Sequence, residues 1–129
     1  MCGIFAALTP SGQQTLDYLL AGLEFNFGRG QDSLCGLLIE QQTGKAVRKY
    51  EIYEDAGSFR RIRESLLQHT LQDGKGPIIG MGHNRYRTTS TITVDNIQPI
   101  IINHEQSGQE IYIAHNGEID PRTCPSAVQ

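Results

Sequence analysis

The chain has 129 residues, the length of one small domain and too short for two. Its 14 acidic residues outnumber its 11 Lys and Arg residues, and the formal net charge of −3 argues against nucleic acid or an anionic membrane as the main partner. The longest apolar stretches are only a few residues and the N-terminus lacks a signal-peptide pattern, so we expect a cytoplasmic protein with no membrane partner.

Apolar periodicity and turn residues divide the chain into regular elements. In chain order they predict a strand over residues 3–8, a helix over 13–27, a loop over 28–33, strands over 34–40 and 46–53, a helix over 58–71, and strands over 78–81, 97–103 and 110–114. The first helix is expected to be capped by Ser11 or Thr15.

The order of these elements indicates a mixed α/β (α+β) chain. The hairpin signals favour mostly antiparallel sheets with helices packed on a sheet face. Residues 120–129 show no periodicity and predict an irregular C-terminal tail, so we expect one domain over residues 1–119.

The three cysteines cannot all pair and none lies in a CxxC motif, so no disulfide framework is expected. Cys35 lies in an apolar run and Cys124 in the tail, but Cys2 directly follows Met1. Removal of Met1 would leave Cys2 with its thiol and its α-amine in one residue. That amine, with an ordinary pKa of about 7.7–8.0, can take the thiol proton. The sequence thus predicts an N-terminal nucleophile, although a cysteine at position two is weak evidence alone.

Four sequence blocks strengthen that prediction. They are Cys2-Gly3-Ile4-Phe5, Arg29-Gly30-Gln31-Asp32-Ser33, Gly82-His83-Asn84-Arg85-Tyr86-Arg87-Thr88 followed by Asn96-Ile97-Gln98-Pro99, and His115-Asn116-Gly117-Glu118-Ile119. Together they resemble the motifs of class II glutamine amidotransferases, which are Ntn hydrolases. Gln31 and Tyr86 favour the amidophosphoribosyltransferase branch of this family.

The resemblance implies a reaction and its catalytic residues. Cys2 would attack the side-chain amide of L-glutamine, form a γ-glutamyl thioester and release ammonia, after which water frees glutamate. The side-chain amide of Asn116 and the backbone N–H of Gly117 would form the oxyanion hole. Neither a metal nor another cofactor is expected.

The resemblance also implies residues that bind the substrate and support the site. Arg85 would bind the substrate α-carboxylate through its planar guanidinium, and Thr88 would add a hydrogen bond. Arg29 and Asp32 are expected to fix the loop beside the nucleophile and not to react.

Each assignment has a structural alternative when it stands alone. An Asn-Gly pair such as Asn116-Gly117 is ordinarily a type I′ turn, and Arg85 with its neighbouring tyrosine is ordinarily a surface pair. The histidines His83, His104 and His115 match no zinc spacing.

The family fold is an αββα sandwich, and the matched blocks cover about its first half. We therefore expect a truncated, incomplete amidotransferase domain over residues 1–119. Nothing after Gly117 resembles the later half, which carries the Asp that binds the substrate α-amino group. A synthase domain or subunit would receive the ammonia, and a homo-oligomer would cover open strand edges.

Two functions remain open at this point. The first is an active glutaminase domain, and the second is a catalytically inactive, truncated family member that acts as a binding or regulatory module. A third, an Ntn hydrolase acting on another amide, fits Cys2 but not the other blocks.

Overall fold

The computed structural model describes residues 1–70, 78–87 and 91–117, apart from the side chains of residues 69 and 70. Its elements are, in chain order, β1 (Gly3–Thr9), α1 (Gly12–Phe25), β2 (Ser33–Glu40), β3 (Ala46–Ile52), α2 (Gly57–Thr70), β4 (Ile78–Arg85), β5 (Ile100–His104) and β6 (Gln109–Ile113). Two 3₁₀ turns lie at Phe27–Arg29 and Val94–Asn96. Thr88, Cys124 and the predicted tail over residues 120–129 lie outside the described residues.

The strands form two antiparallel sheets. Four of them pair in the order β1-β4-β2-β3, and β5 and β6 form a separate hairpin. Helices α1 and α2 lie on one face of the four-stranded sheet, where leucines of both helices contact β2. The predicted mixed α/β fold of antiparallel sheets with packed helices is confirmed, and the arrangement is compatible with part of an αββα sandwich.

The face that carries the helices is close-packed. Its apolar core consists of buried Leu16, Leu19, Leu23, Leu34, Leu38, Ile62 and Leu66. The helix-facing positions of β4 include Gly80 and Gly82, where an added Cβ would lie 2.8 Å from Thr15 Cγ2 and 2.9 Å from Leu19 Cδ1, respectively. Because these positions carry no side chain, α1 approaches the sheet closely. Each fully buried leucine contributes about 1.5–3 kcal/mol of transfer free energy.

The two ends of α1 differ in how well the sequence predicts them. Ser11 is the N-cap, since its Oγ accepts a hydrogen bond from the backbone N–H of Gln14. Thr15 is not a cap: it is buried inside the helix, and its hydroxyl donates to the carbonyl of Ile78 over 2.9 Å. The helix ends at Phe25 and not at Phe27, whose ring contacts those of Tyr53, which directly follows β3, and of Phe59 in α2.

Two later strands also depart from the predicted bounds. Strand β4 extends to Arg85, four residues past the predicted end, because its whole length pairs with β2. Strand β5 begins at Ile100 and not at residue 97, because the carbonyls of Ile97 and Pro99 accept hydrogen bonds from Arg48 and not from a neighbouring strand.

The β5–β6 hairpin carries apolar side chains that are not buried. Its cross-strand pair Ile102 and Ile111 is exposed by 42% and 45%, respectively. Over the ranges that the structure describes, neither helix combines the length and the apolar character that crossing a membrane requires.

Candidate active site

The pairing of β1 with β4 determines where Cys2 lies. Gly3 is opposite Asn84, so Cys2 reaches the C-terminal end of β4. The Sγ atom of Cys2 lies 3.5 Å from the backbone nitrogen of Tyr86, which donates to it, and 3.8 Å from the carbonyl oxygen of the same residue. The thiol is therefore held at the strand end by backbone groups.

Asn116 lies against the backbone of Cys2 although 114 positions separate them in sequence. The backbone N–H of Cys2 donates to Asn116 Oδ1 over 3.1 Å. Since that N–H can only donate, the oxygen of the amide must face it and the NH₂ group is turned away. This contact brings the predicted nucleophile and one predicted oxyanion-hole residue together.

Gly117 has a φ of +146°, a backbone conformation that residues with a side chain rarely adopt. A Cβ at this position would contact nothing within 4 Å, so conformation and not space requires glycine. No described residue other than glycine has a positive φ. Asn116 therefore does not form the type I′ turn considered for the Asn-Gly pair, because that turn needs a positive φ at both central residues.

The loop that carries Arg29 and Asp32 is fixed to the end of β4. The backbone N–H of Asp32 donates to the carbonyl of Arg85 over 2.9 Å, and its carboxylate accepts a hydrogen bond from the backbone N–H of Arg87. Arg29 is exposed, and its Nη2 lies 3.7 Å from the sulfur of Met1. The loop thus contacts the strand end and the residue preceding the nucleophile.

Gly30 allows this loop to approach β4. A Cβ at Gly30 would lie 2.4 Å from the carbonyl oxygen of Asn84 and 2.7 Å from the carbonyl carbon of Arg85. Both are backbone atoms, which cannot move aside as a flexible side chain can. The close approach excludes any residue with a side chain at this position.

Arg85, the predicted carboxylate-binding residue, is buried at the end of β4. Its Nη1 donates to both the backbone carbonyl and the side-chain oxygen of Asn96. These bonds fix the plane of the guanidinium group. Thr88, the predicted second substrate contact, lies outside the described residues.

Two histidines of the matched blocks, His83 and His115, are in contact, and His115 directly precedes Asn116 in sequence. His83 Nε2 lies 3.3 Å from the carbonyl oxygen of His115. Burial lowers the pKa of His83 from an ordinary 6.5 to about 4, with the charge of Arg85 adding to the effect and the hydrogen bond to His115 opposing it. In the described ranges no group of three or more His, Cys, Asp or Glu residues could hold a metal ion.

Sequence reasoning assigned no role to Gln98 or Arg48, which both contact this region. Gln98 bonds to His115, and Arg48 bonds to the carbonyls on either side of Gln98. Gln98 lies in the segment Asn96-Ile97-Gln98-Pro99, which resembles a family motif, so the resemblance could have indicated a role for it. Arg48 lies in a strand with no motif, and nothing in the local sequence distinguishes it.

The lowered pKa of His83 predicts a specific pH dependence of stability. Between pH 6.5 and about 4 the unfolded chain binds a proton at this histidine and the folded chain does not, so the free energy of unfolding falls as pH falls through this window. A His83→Gln variant keeps a donor toward His115 but loses the titration. Urea unfolding from pH 7 to 4 should show a shallower decline for the variant, and equal slopes would contradict the assignment.

The contact of Gly30 with β4 predicts a difference between two glycines of one loop. Gly30→Ala should lower the free energy of unfolding by about 1–3 kcal/mol, because the new methyl group meets backbone atoms. Gly28→Ala is the matched control: its Cβ would meet nothing within 4 Å, and it should change stability by less than about 0.5 kcal/mol. Urea unfolding of both variants tests this, and equal losses would refute it.

Comparison with known proteins relates 92% of the chain to enzymes of two kinds. The amidophosphoribosyltransferase of Methanocaldococcus jannaschii is 32% identical over 92% of this chain and 23% of its own length. That of Mus musculus is 29% identical over 92% of this chain and 22% of its own. The glutamine–fructose-6-phosphate aminotransferase of Methanococcus maripaludis is 32% identical over 92% of this chain and 17% of its own.

The chain spans about a fifth of the length of the curated relatives it matches. No family model matches it. A solved Dbh DNA polymerase ternary complex aligns with a TM-score of 0.45 at 10% identity over 66% of this chain and 28% of that one, which is too low to support an argument. Homologues of two kinds thus align with 92% of this chain at 29–32% identity. The chain therefore belongs to the class II glutamine amidotransferases.

Proposed function

We propose that this chain hydrolyses the side-chain amide of L-glutamine to glutamate and ammonia, with Cys2 as the nucleophile. The observation that supports this most directly is the hydrogen bond from the backbone of Cys2 to the amide of Asn116. This bond brings together the proposed nucleophile, Cys2, and a proposed oxyanion-hole residue, Asn116, which lie near the two ends of the described chain.

Activation of the thiol depends on the removal of Met1. While Met1 is present, the nitrogen of Cys2 is a peptide nitrogen and cannot act as a base. Once Met1 is removed, the nitrogen becomes an amine that takes the thiol proton. The side chain of Met1 is 73% exposed, so an aminopeptidase has access to it.

The bond changes then balance without a cofactor. The Cys2 sulfur attacks the amide carbon, the carbon–nitrogen bond breaks, and the α-amine passes its proton to the leaving nitrogen, which departs as ammonia. Water cleaves the thioester to give glutamate and the free thiol. Asn116, through its amide, and Gly117, through its backbone N–H, stabilise the oxyanion of both steps. Removing such a donor typically lowers kcat by about 10²–10³-fold.

Arg85 is the residue we assign to the α-carboxylate of glutamine. Its bonds to Asn96 hold the guanidinium in one orientation, which reduces the entropy lost when a carboxylate binds. We further propose that the ammonia is used by a synthase domain or subunit.

Exposure to 6-diazo-5-oxo-norleucine, a reactive glutamine mimic, tests the nucleophile. We expect the intact mass to show loss of Met1 and one covalent adduct, with peptide mapping that assigns the adduct to Cys2. Cys35 should remain unmodified, because it is fully buried and burial raises the pKa of its thiol to about 12.

Two variants serve as controls for the labelling. Cys2→Ser should abolish the adduct, whereas Cys124→Ser, which removes a thiol outside the matched blocks, should retain it. A folded protein that gains no adduct and releases no ammonia from glutamine would contradict the proposal and favour a binding module.

The role of Arg85 predicts a change in substrate affinity. Arg85→Ala should raise the KM for glutamine roughly 10- to 100-fold, since a hydrogen bond to a charged group contributes about 1.5–3 kcal/mol. Arg63→Ala, at an exposed position of α2, controls for the loss of one positive charge. Steady-state ammonia release measures both, and an unchanged KM in Arg85→Ala would reject the carboxylate role.

A further inference from the structure

The segment over residues 96–99 is attached to the four-stranded sheet by two arginines. Arg48 of β3 donates from Nε to the carbonyl of Pro99 over 2.7 Å and from Nη2 to the carbonyl of Ile97. Arg85 of β4 donates to Asn96. Both arginines lie on the sheet face opposite the helices, as the strand register requires. The backbone on both sides of Gln98 is thereby fixed.

Both polar atoms of the Gln98 side-chain amide contact His115. Its Oε1 accepts a hydrogen bond from the backbone N–H of His115 over 2.6 Å, and its Nε2 lies 3.0 Å from His115 Nδ1. Nδ1 also lies 3.3 Å from Oε1. Because the backbone N–H requires the oxygen, the shorter contact to the ring comes from the NH₂ group, which donates to Nδ1. One side chain therefore holds both the backbone and the ring of His115.

His115 is held on its other side as well. Its carbonyl oxygen lies 3.3 Å from Nε2 of buried His83. The next residue is Asn116, whose Oδ1 accepts from the backbone N–H of Cys2. A continuous series of contacts thus runs from Arg48 through Gln98 and His115 to the nucleophile.

We propose that Gln98 is a positioning residue for the glutamine-hydrolysing reaction: it fixes His115, and through it holds Asn116 in register with Cys2. This inference rests on the proposed function. Gln98 does not contact the proposed nucleophile, and no described bond joins it to Arg85's guanidinium. Its loss should therefore affect the transition state and not the binding of the substrate carboxylate. A misplacement of about 1 Å in an active site can cost about 10²-fold in rate.

The test compares steady-state kinetics of Gln98→Met with those of the wild type. Methionine has nearly the same length but makes neither hydrogen bond. We expect kcat for glutamine to fall at least about tenfold, while KM changes less than about threefold. Gln14→Met, at an exposed position of α1, is the matched control and should leave both constants unchanged.

A second variant separates positioning from folding. Gln98→Glu keeps an oxygen that accepts from the backbone N–H of His115, and its second carboxylate oxygen can accept from a protonated Nδ1. It can therefore still hold His115, and its kcat should exceed that of Gln98→Met. Circular dichroism and thermal unfolding check that each variant is folded. If folded Gln98→Met shows wild-type kcat, or if its KM rises as much as its kcat falls, the positioning role is wrong.

The failure of this inference differs from the failure of the proposed function. If the wild-type protein turns over glutamine and Gln98 variants do so equally well, only the positioning role is overturned. If the wild-type protein is folded, has lost Met1 and still neither releases ammonia nor takes the label at Cys2, the proposed function fails and the positioning role fails with it.

Discussion

The close contact between α1 and the glycines of the sheet is the constraint on which the other features depend. An added Cβ at Gly80 or Gly82 would lie 2.8 or 2.9 Å, respectively, from a side chain of α1. Interiors packed at this density do not absorb an extra methyl group without movement of a backbone or a rotamer. Because α1 lies so near, the hydroxyl of Thr15 reaches the carbonyl of Ile78 and the amide of Asn84 donates to the carbonyl of Leu23. These polar bonds fix the helix along the strand.

The two faces of strand β4 consequently contact different parts of the molecule: one contacts the helices and the other contacts the candidate site. Its even-numbered residues, among them Gly82 and Asn84, face the helices and determine packing. Its odd-numbered residues, His83 and Arg85, face the other side and contact His115 and Asn96. Because successive side chains of a strand point to opposite faces, the adjacent residues His83 and Asn84 contact opposite sides of the sheet. A one-residue slip in the pairing of β4 would exchange the faces and place Asn84 or Tyr86 where the site has Arg85.

The sequence predicts those parts of the molecule that local patterns determine. Apolar periodicity locates the strands and helices in their correct order, and Ser11 is identifiable as a cap because its effect is local. The proximity of Cys2 to Asn116, by contrast, follows from no spacing; only the resemblance to a family indicated it. The contacts of Arg48 were not predictable, since they join an ordinary strand residue to carbonyls about fifty positions away. Phe27 misled the helix prediction because an apolar residue at helical spacing can pack after the helix has ended.

The strand order has a consequence for the synthesis of the protein. Within the part of the chain that the structure describes, strand β1 pairs only with β4, which begins at Ile78, although β1 itself is complete at Thr9. A ribosome adds roughly 5–20 residues per second, so the first strand has no strand partner for several seconds after it is made. In the folded protein Met1 still precedes β1 and is 73% exposed. Removal of Met1 therefore has an opportunity both during synthesis and after the sheet is complete.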